Sequence, residues 1–270
     1  MRNCLLSVAL LVLIPFVLLS CTTVPVTGRK QLDLIPSSTM LAMSFQQYDE
    51  FLKSNKLSTN RNQTQTVKTV GGKIKKAVEQ YMAKNNLSDR LRDYKWEFNL
   101  VENDEVNAWC MPGGKVVVYT GILPITQGEG GLAVVMGHEI AHAIARHGDE
   151  RMSQGLLAEL GGMALSAALK EQPEKTRQLW MTAFGAGASV GVLLPYSRLH
   201  ESEADHLGLI FMAMAGYDPR LAVDFWERMA AKKEGKAPPE FISTHPSDQT
   251  RITKIKAEIP AALEYYEGKK

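Results

Sequence analysis

Gly137-His138-Glu139-Ile140-Ala141-His142 sets two imidazoles four residues apart, with a carboxylate beside the first. On a helix of 3.6 residues per turn, His138 and His142 share one face about one turn apart, so both ring nitrogens reach a single zinc ion. Glu139 then projects toward the water on that ion. Zinc lowers the pKa of its water to roughly 7, and an adjacent carboxylate can take the proton as hydroxide attacks a carbonyl. The flanking residues 131–145, GLAVVMGHEIAHAIA, are apolar and small, which describes a helix buried on most sides rather than a solvated one. Two histidines and a glutamate buried there are costly without a metal or another partner.

Two imidazoles leave zinc short of a protein ligand. His147 lies five residues after His142, one short of the HExxHxxGxxH spacing, and Ala145 stands where that pattern needs its glycine. It reads as a helix-end histidine near Gly148. In His200-Glu201-Ser202-Glu203-Ala204-Asp205 the acids at 201 and 205 share a helical face, so Glu201 can bind zinc while Asp205 accepts a hydrogen bond from a ligand histidine. Glu203 points elsewhere on that helix.

These residues resemble the M48 peptidases, which include the Ste24, HtpX and Oma1-like enzymes. The likeness rests on residues 137–142, on Glu201-Ser202-Glu203-Ala204-Asp205 with Gly208 following, and on Asn107-Ala108-Trp109-Cys110-Met111-Pro112-Gly113-Gly114. It implies one zinc ion per chain on His138, His142 and Glu201, Glu139 as catalytic base, and Asp205 as the supporting carboxylate. It also implies a histidine, His245 in Thr244-His245-Pro246-Ser247, that reaches the metal from a loop, and an arginine, Arg251, that stabilises the oxyanion. A fourth protein ligand would close the open position that hydrolysis needs, which makes His245 an inhibitory element. In length and layout the chain is most similar to the short periplasmic lipoprotein members of the family.

Arg2 and the apolar run Leu5 to Leu19, ending in Leu18-Leu19-Ser20-Cys21, read as a lipoprotein signal peptide over residues 1–20. Pro15 and the shortness of the run argue against a spanning helix, which wants about 20 apolar residues. Cys21 is then the lipidation site and the attachment to a membrane. Thr22 in place of aspartate favours, by resemblance to bacterial lipoprotein sorting, the outer membrane of a Gram-negative bacterium, facing the periplasm. Cys4 leaves with the signal and Cys21 is modified, so Cys110 alone remains and no intramolecular disulfide forms. Its neighbours Trp109 and Met111 mark it as a packed, inert thiol.

The 270 residues are 45% hydrophobic with a formal charge of +2, enough for a substantial core and without a basic stripe that would suit nucleic acid. Residues 21–38, with Pro25, Gly28 and Pro36, read as a lipidated linker, and residues 39–270 as one peptidase domain. Helices are expected over 39–54 and 66–84, the latter with Val67, Val70, Ile74, Val78 and Tyr81 on one stripe. Tyr94, Trp96, Phe98 and Leu100 alternate as a half-buried strand, and Pro112-Gly113-Gly114 turns into a second, Lys115 to Tyr119. In zinc peptidases an edge strand beside the metal holds the extended substrate, and Val116, Val117, Val118 and Tyr119 are the candidates.

Residues 178–197 carry no charge and include Gly185, Gly187, Gly191 and Pro195. They read as a small-residue helix packed on the zinc helix, next to 155–169, with the charged loop 170–177 between them. Gly216-Tyr217-Asp218-Pro219 breaks the Glu201 helix and starts another through Val223, Phe225, Trp226 and Met229, and 235–239 forms a loop. The expected architecture is α+β, mainly α: a zincin-like domain with a small sheet beside the HExxH helix. The expected activity is zinc endopeptidase, acting on unfolded or misassembled envelope proteins in quality control. The competing role is an outer-membrane assembly factor or chaperone with a structural or gated zinc.

Overall fold

A computed structural model describes residues 21–24, 27–172, 174–188, 194–232, 245 and 249–267. The signal-like residues 1–20 and the loop at 235–239 lie outside them. Contacts divide the chain into two compact units, residues 40–145 with 200–270 and residues 1–39 with 146–199.

In the larger unit, α1 (Ser37–Ser54, mostly within it) and α2 (Arg61–Lys84) precede a three-stranded sheet. Asn60 caps α2 by accepting from the Gln63 N–H at 3.1 Å. The stripe Val67, Val70, Ile74, Val78 and Tyr81 is buried, as a period of 3.6 requires. Gly71 lets this helix meet the sheet closely, since a Cβ there would stand 2.3 Å from the Phe98 ring. Strands β3 (Glu97–Val101), β4 (Ala108–Met111) and β5 (Lys115–Tyr119) are ordered β3-β5-β4. β5 runs parallel to β3, pairing Glu97 with Lys115, and antiparallel to β4, pairing Trp109 with Val117. Gly113 and Gly114 adopt φ of +85° and +82° in the turn between β4 and β5, where a side chain would be strained.

β5 is therefore the middle strand and fully buried, so the backbone of Val116, Val117, Val118 and Tyr119 is already bonded on both sides. The expectation that it offers a free edge to substrate is corrected. That edge belongs to β4, which the sequence reading left as a packed segment, and β4 lies along the metal helix.

The metal helix is α4 (Glu129–Ile144), reached through the single turn α3 (Leu123–Thr126). Every residue from Gly131 to Ile144 is buried. At its start Glu129 accepts from the Tyr217 hydroxyl at 2.7 Å and pairs with Lys73 at 3.2 Å. An acid in the first turn also suits the helix dipole. Helix α7 (Leu194–Met214) joins this unit from His200 onward. Gly216 at φ +88° ends it, and α8 (Leu221–Ala231) and α9 (Gln249–Glu267) follow.

The smaller unit holds α5 (His147–Ala168) and α6 (Glu174–Ala188), joined by a turn far shorter than the loop expected over 170–177. Phe184 lies on Gly161 and Gly162, so α6 packs on α5, the neighbour expected beside it. His147 is a helix-end residue, the first of α5 rather than the last of α4, and it is fully buried.

Residues 21–38 are also more than a linker. β1 (Cys21–Thr23) and β2 (Lys30–Leu32) form an antiparallel hairpin held against the start of α5. Arg29 donates to both carboxylate oxygens of buried Glu150, at 2.9 and 2.7 Å. Arg146, at φ +59°, bridges Asp33 at 2.7 Å and Asp149 at 2.6 Å, and Leu34 N–H donates to Ser153 Oγ at 3.0 Å. Two bidentate ties at a shielded surface make an ordered clamp of what composition reads as a tether. Glu150→Ala removes the carboxylate from a pair that is buried on one side only. A loss of about 2 kcal/mol is expected in chemical denaturation, with early proteolytic nicking near residue 29, whereas an unchanged midpoint would mean the clamp carries no stability.

Candidate metal centre

His138 and His142, one turn apart on α4, stand with their Nε2 atoms 3.1 Å apart. α7 supplies Glu201, whose Oε2 lies 3.3 Å from His138 Nε2 and whose Oε1 lies 3.2 Å from His142 Nε2. His245 completes the group, its Nδ1 2.9 Å from Glu201 Oε1 and 3.1 Å from His138 Nε2. One atom from each of the four lies within 4.8 Å of the others.

The approach of α4 to α7 sets these distances, and two glycines permit it. A Cβ on Gly137 would stand 3.0 Å from the Gly208 carbonyl oxygen, and one on Gly208 would stand 2.9 Å from His138 N. The helices thus touch backbone to backbone one residue from the first ligand.

Asp205, one turn below Glu201, places Oδ1 3.0 Å from His138 Nδ1 and so fixes which ring nitrogen faces the cluster. Arg251 on α9 donates to Asp205 through Nε at 2.8 Å and NH2 at 2.7 Å, and its NH1 lies 3.0 Å from Glu201 Oε2. Its guanidinium carbon lies 3.6 Å from the centre of the Trp226 ring. Buried and held by two carboxylates, Arg251 faces the supports of the cluster. Trp226 was legible only as an apolar position of its helix, because nothing in its local pattern points to a partner 25 residues further along. Glu203 is buried and stands outside the cluster, as its place on the helix requires.

The electrostatics ask for a cation. Burial opposes ionisation of Glu201, yet contacts with His138, His142 and His245 hold its carboxyl far below the usual range. Burial also opposes charge on Asp205, and Arg251 and His138 together more than offset it. His138 is pulled down by burial but carried up to about 9 by Asp205 and Glu201, so these carboxylates draw a proton onto the imidazole. Burial pushes Glu139 up, and its Oε1 is buried without a hydrogen-bond partner. With neutral imidazoles, the ionised Glu201 and Asp205 outweigh Arg251 by one negative charge and Glu139 adds a second when it ionises, an excess that a divalent cation offsets. Tetrahedral zinc with ligand bonds of about 2.1 Å separates its donors by about 3.4 Å, close to the spacing here. The residues present fit zinc, which would take the place of the proton drawn onto His138.

An HExxH helix, a glutamate from a second helix and a buried carboxylate that accepts no hydrogen bond at Oε1 define a zinc-metallopeptidase site. Residues 69–259, more than half of the chain, match the family model described as peptidase family M48, and the chain belongs to that family. The mitochondrial metalloendopeptidase OMA1 of Schizosaccharomyces pombe is 40% identical over 174 residues, 64% of this chain and 49% of that protein. Metalloendopeptidase OMA1 of Bos taurus is 31% identical over 254 residues, 90% of this chain and 47% of that protein. The β-barrel assembly-enhancing protease of Escherichia coli K12 is 30% identical over 165 residues, 58% of this chain and 33% of that protein. The chain spans about half the length of the OMA1 relatives it matches.

The expected placement in a Gram-negative outer membrane is overturned here. OMA1 proteins described as mitochondrial match at 36–40% identity in two yeasts and Arabidopsis thaliana, and the β-barrel assembly-enhancing protease of Escherichia coli matches at 30%. A Thr22 sorting signal is two residues of local pattern, whereas these likenesses run through the folded domain.

Gly208→Ala drives a methyl group against the His138 backbone and should separate α4 from α7. The expected result is a stability loss of roughly 1–3 kcal/mol and a drop in zinc affinity measured by competition with a chelating dye. Unchanged affinity would show that the glycine contact does not set the ligand distances.

Proposed function

We propose that the protein is a zinc-dependent endopeptidase that cleaves unfolded or misassembled polypeptides as part of protein quality control. The observation that carries this reading is Glu139, buried, ionisable and without a hydrogen-bond partner at Oε1, beside a complete zinc donor set. A metal kept only for structure has no use for such a base.

His138, His142 and Glu201 hold zinc, and Asp205 and Arg251 keep His138 and Glu201 in place. Zinc, when bound, supplies Lewis acidity to a water and to the scissile carbonyl. Glu139 accepts the proton of the attacking water at Oε1 and delivers it to the leaving amine. Its upward shift by burial favours uptake of the water's proton. Arg251 acts here as a positioning residue, since its donors already face Asp205 and Glu201. An extended substrate finds free backbone groups on β4, Ala108 to Met111, the strand that borders α4. Pairing by backbone groups favours unfolded segments of varied sequence.

His245 gates this site in our reading. Its Nε2 stands 3.4 Å from Glu139 Oε1 while its Nδ1 sits on Glu201, so an imidazole fills the space between base and donor set that water and a carbonyl need. This arrangement is a resting state, and substrate entry requires His245 to leave.

Glu139→Gln keeps the side-chain shape but cannot accept the proton. It should bind one zinc per chain and lose on the order of a hundred-fold or more of its peptide cleavage, measured on an unfolded protein substrate. Full activity in that variant would end the proposed mechanism. His245→Ala should retain zinc on the remaining three ligands and raise basal cleavage. Loss of cleavage with zinc still bound would instead make His245 a participant in the reaction.

A further inference from the structure

Helix α5 has two unlike faces. Gly161 and Gly162 take the Phe184 ring of α6. Met152, Leu156, Leu160 and Met163, spaced four, four and three residues apart, form a stripe on nearly the opposite side, at about 100° of rotation per residue. These four side chains are between 39% and 62% exposed, an unusual amount of large apolar surface for one helix. Lys170, exposed and on the same side, follows the stripe, Arg151 falls nearly opposite it, and Glu159 at its rim is the single charge among residues 152–169.

The same unit receives the most apolar run in the sequence. Residues 5–19, LLSVALLVLIPFVLL, lead directly to Cys21, where β1 begins. β1 pairs with β2, and Arg29 and Leu34 on either side of β2 are tied to Glu150 and Ser153 of α5. The chain emerging from that run is thus clamped beside Met152, at one end of the exposed stripe. A run of this hydrophobicity while attached, or the acyl chains on Cys21 that would replace it after cleavage, partitions into a bilayer and not into water, and either brings the stripe to a lipid surface.

We propose that the face of α5 formed by Met152, Leu156, Leu160 and Met163 lies in the interfacial layer of a lipid bilayer. Lys170 reaches the phosphates at the carboxy-terminal end of the stripe. The charged turn between α5 and α6, with Lys170, Glu171, Glu174 and Lys175, opposes end-on insertion, and no helix among the described residues is long and apolar enough to cross a membrane. Helix α5 therefore lies along the surface, and this unit tethers the peptidase through a helix face as well as through its amino-terminal attachment at Cys21.

The test uses the full chain reconstituted in phosphatidylcholine vesicles that contain a phospholipid with a diazirine in its acyl chain. After photolysis and trypsin, the peptide from Met152 to Lys170 should carry lipid. The double substitution Leu160→Glu with Met163→Glu should reduce that labelling at least about fivefold, while Leu179→Glu, on α6, should leave it unchanged. Vesicle-bound protein with no lipid on this peptide overturns the proposal. Labelling confined to the peptide from Gln178 to Arg198 overturns it as well, since another helix is then the contact. Crosslinks from this peptide to a second copy, without lipid, would show a dimer interface in its place. All of these readouts are independent of peptide cleavage.

Discussion

The backbone contact between Gly137 and Gly208 is the constraint on which the metal centre depends. Zinc-sized spacing requires nitrogen atoms from α4 and carboxylate oxygens from α7 within about 3.4 Å of one another. Side chains as short as histidine and glutamate span that gap only if the helix axes come unusually close. A single methyl group on either glycine would push the helices apart at the residue next to His138. The cost of two glycines in helix interiors, roughly 1 kcal/mol each relative to alanine, is offset by the geometry they allow.

Around that contact the buried charges are arranged in layers. Asp205 faces His138 on one side and Arg251 on the other, and Arg251 lies flat on Trp226. Each group satisfies the next, so the imidazole presents Nε2 inward without loss of hydrogen bonding at Nδ1. Glu139 is the exception at the centre of this network. A carboxylate with an unbonded buried oxygen is destabilising in the folded chain, and such local cost is what a reactive group requires.

The sheet shows why strand position matters more than strand identity. Lys115 to Tyr119 is the most strand-like segment of the sequence, and for that reason it sits in the middle, buried on both faces. The edge falls to Ala108–Met111, which is short and carries Cys110, whose thiol burial and the nearby Glu139 push well up from its usual range. A weakly patterned strand left with open backbone groups is the one able to accept another chain.

The sequence by itself determined the chemistry. The ligands of α4 repeat at helical spacing, Glu201 and Asp205 do the same on α7, and the stripe on α2 follows the same period, so local geometry alone decides which side chains share a face. Tertiary structure decided everything that depends on distance between segments. It brought His245 onto Glu201 from 44 residues away, turned Arg251 toward Asp205, made β4 rather than β5 the edge, and folded residues 21–34 onto α5 through Arg29 and Arg146. Those outcomes rest on packing, pairing order and charge compensation between residues far apart in the chain, for which hydrophobic periodicity carries no signal.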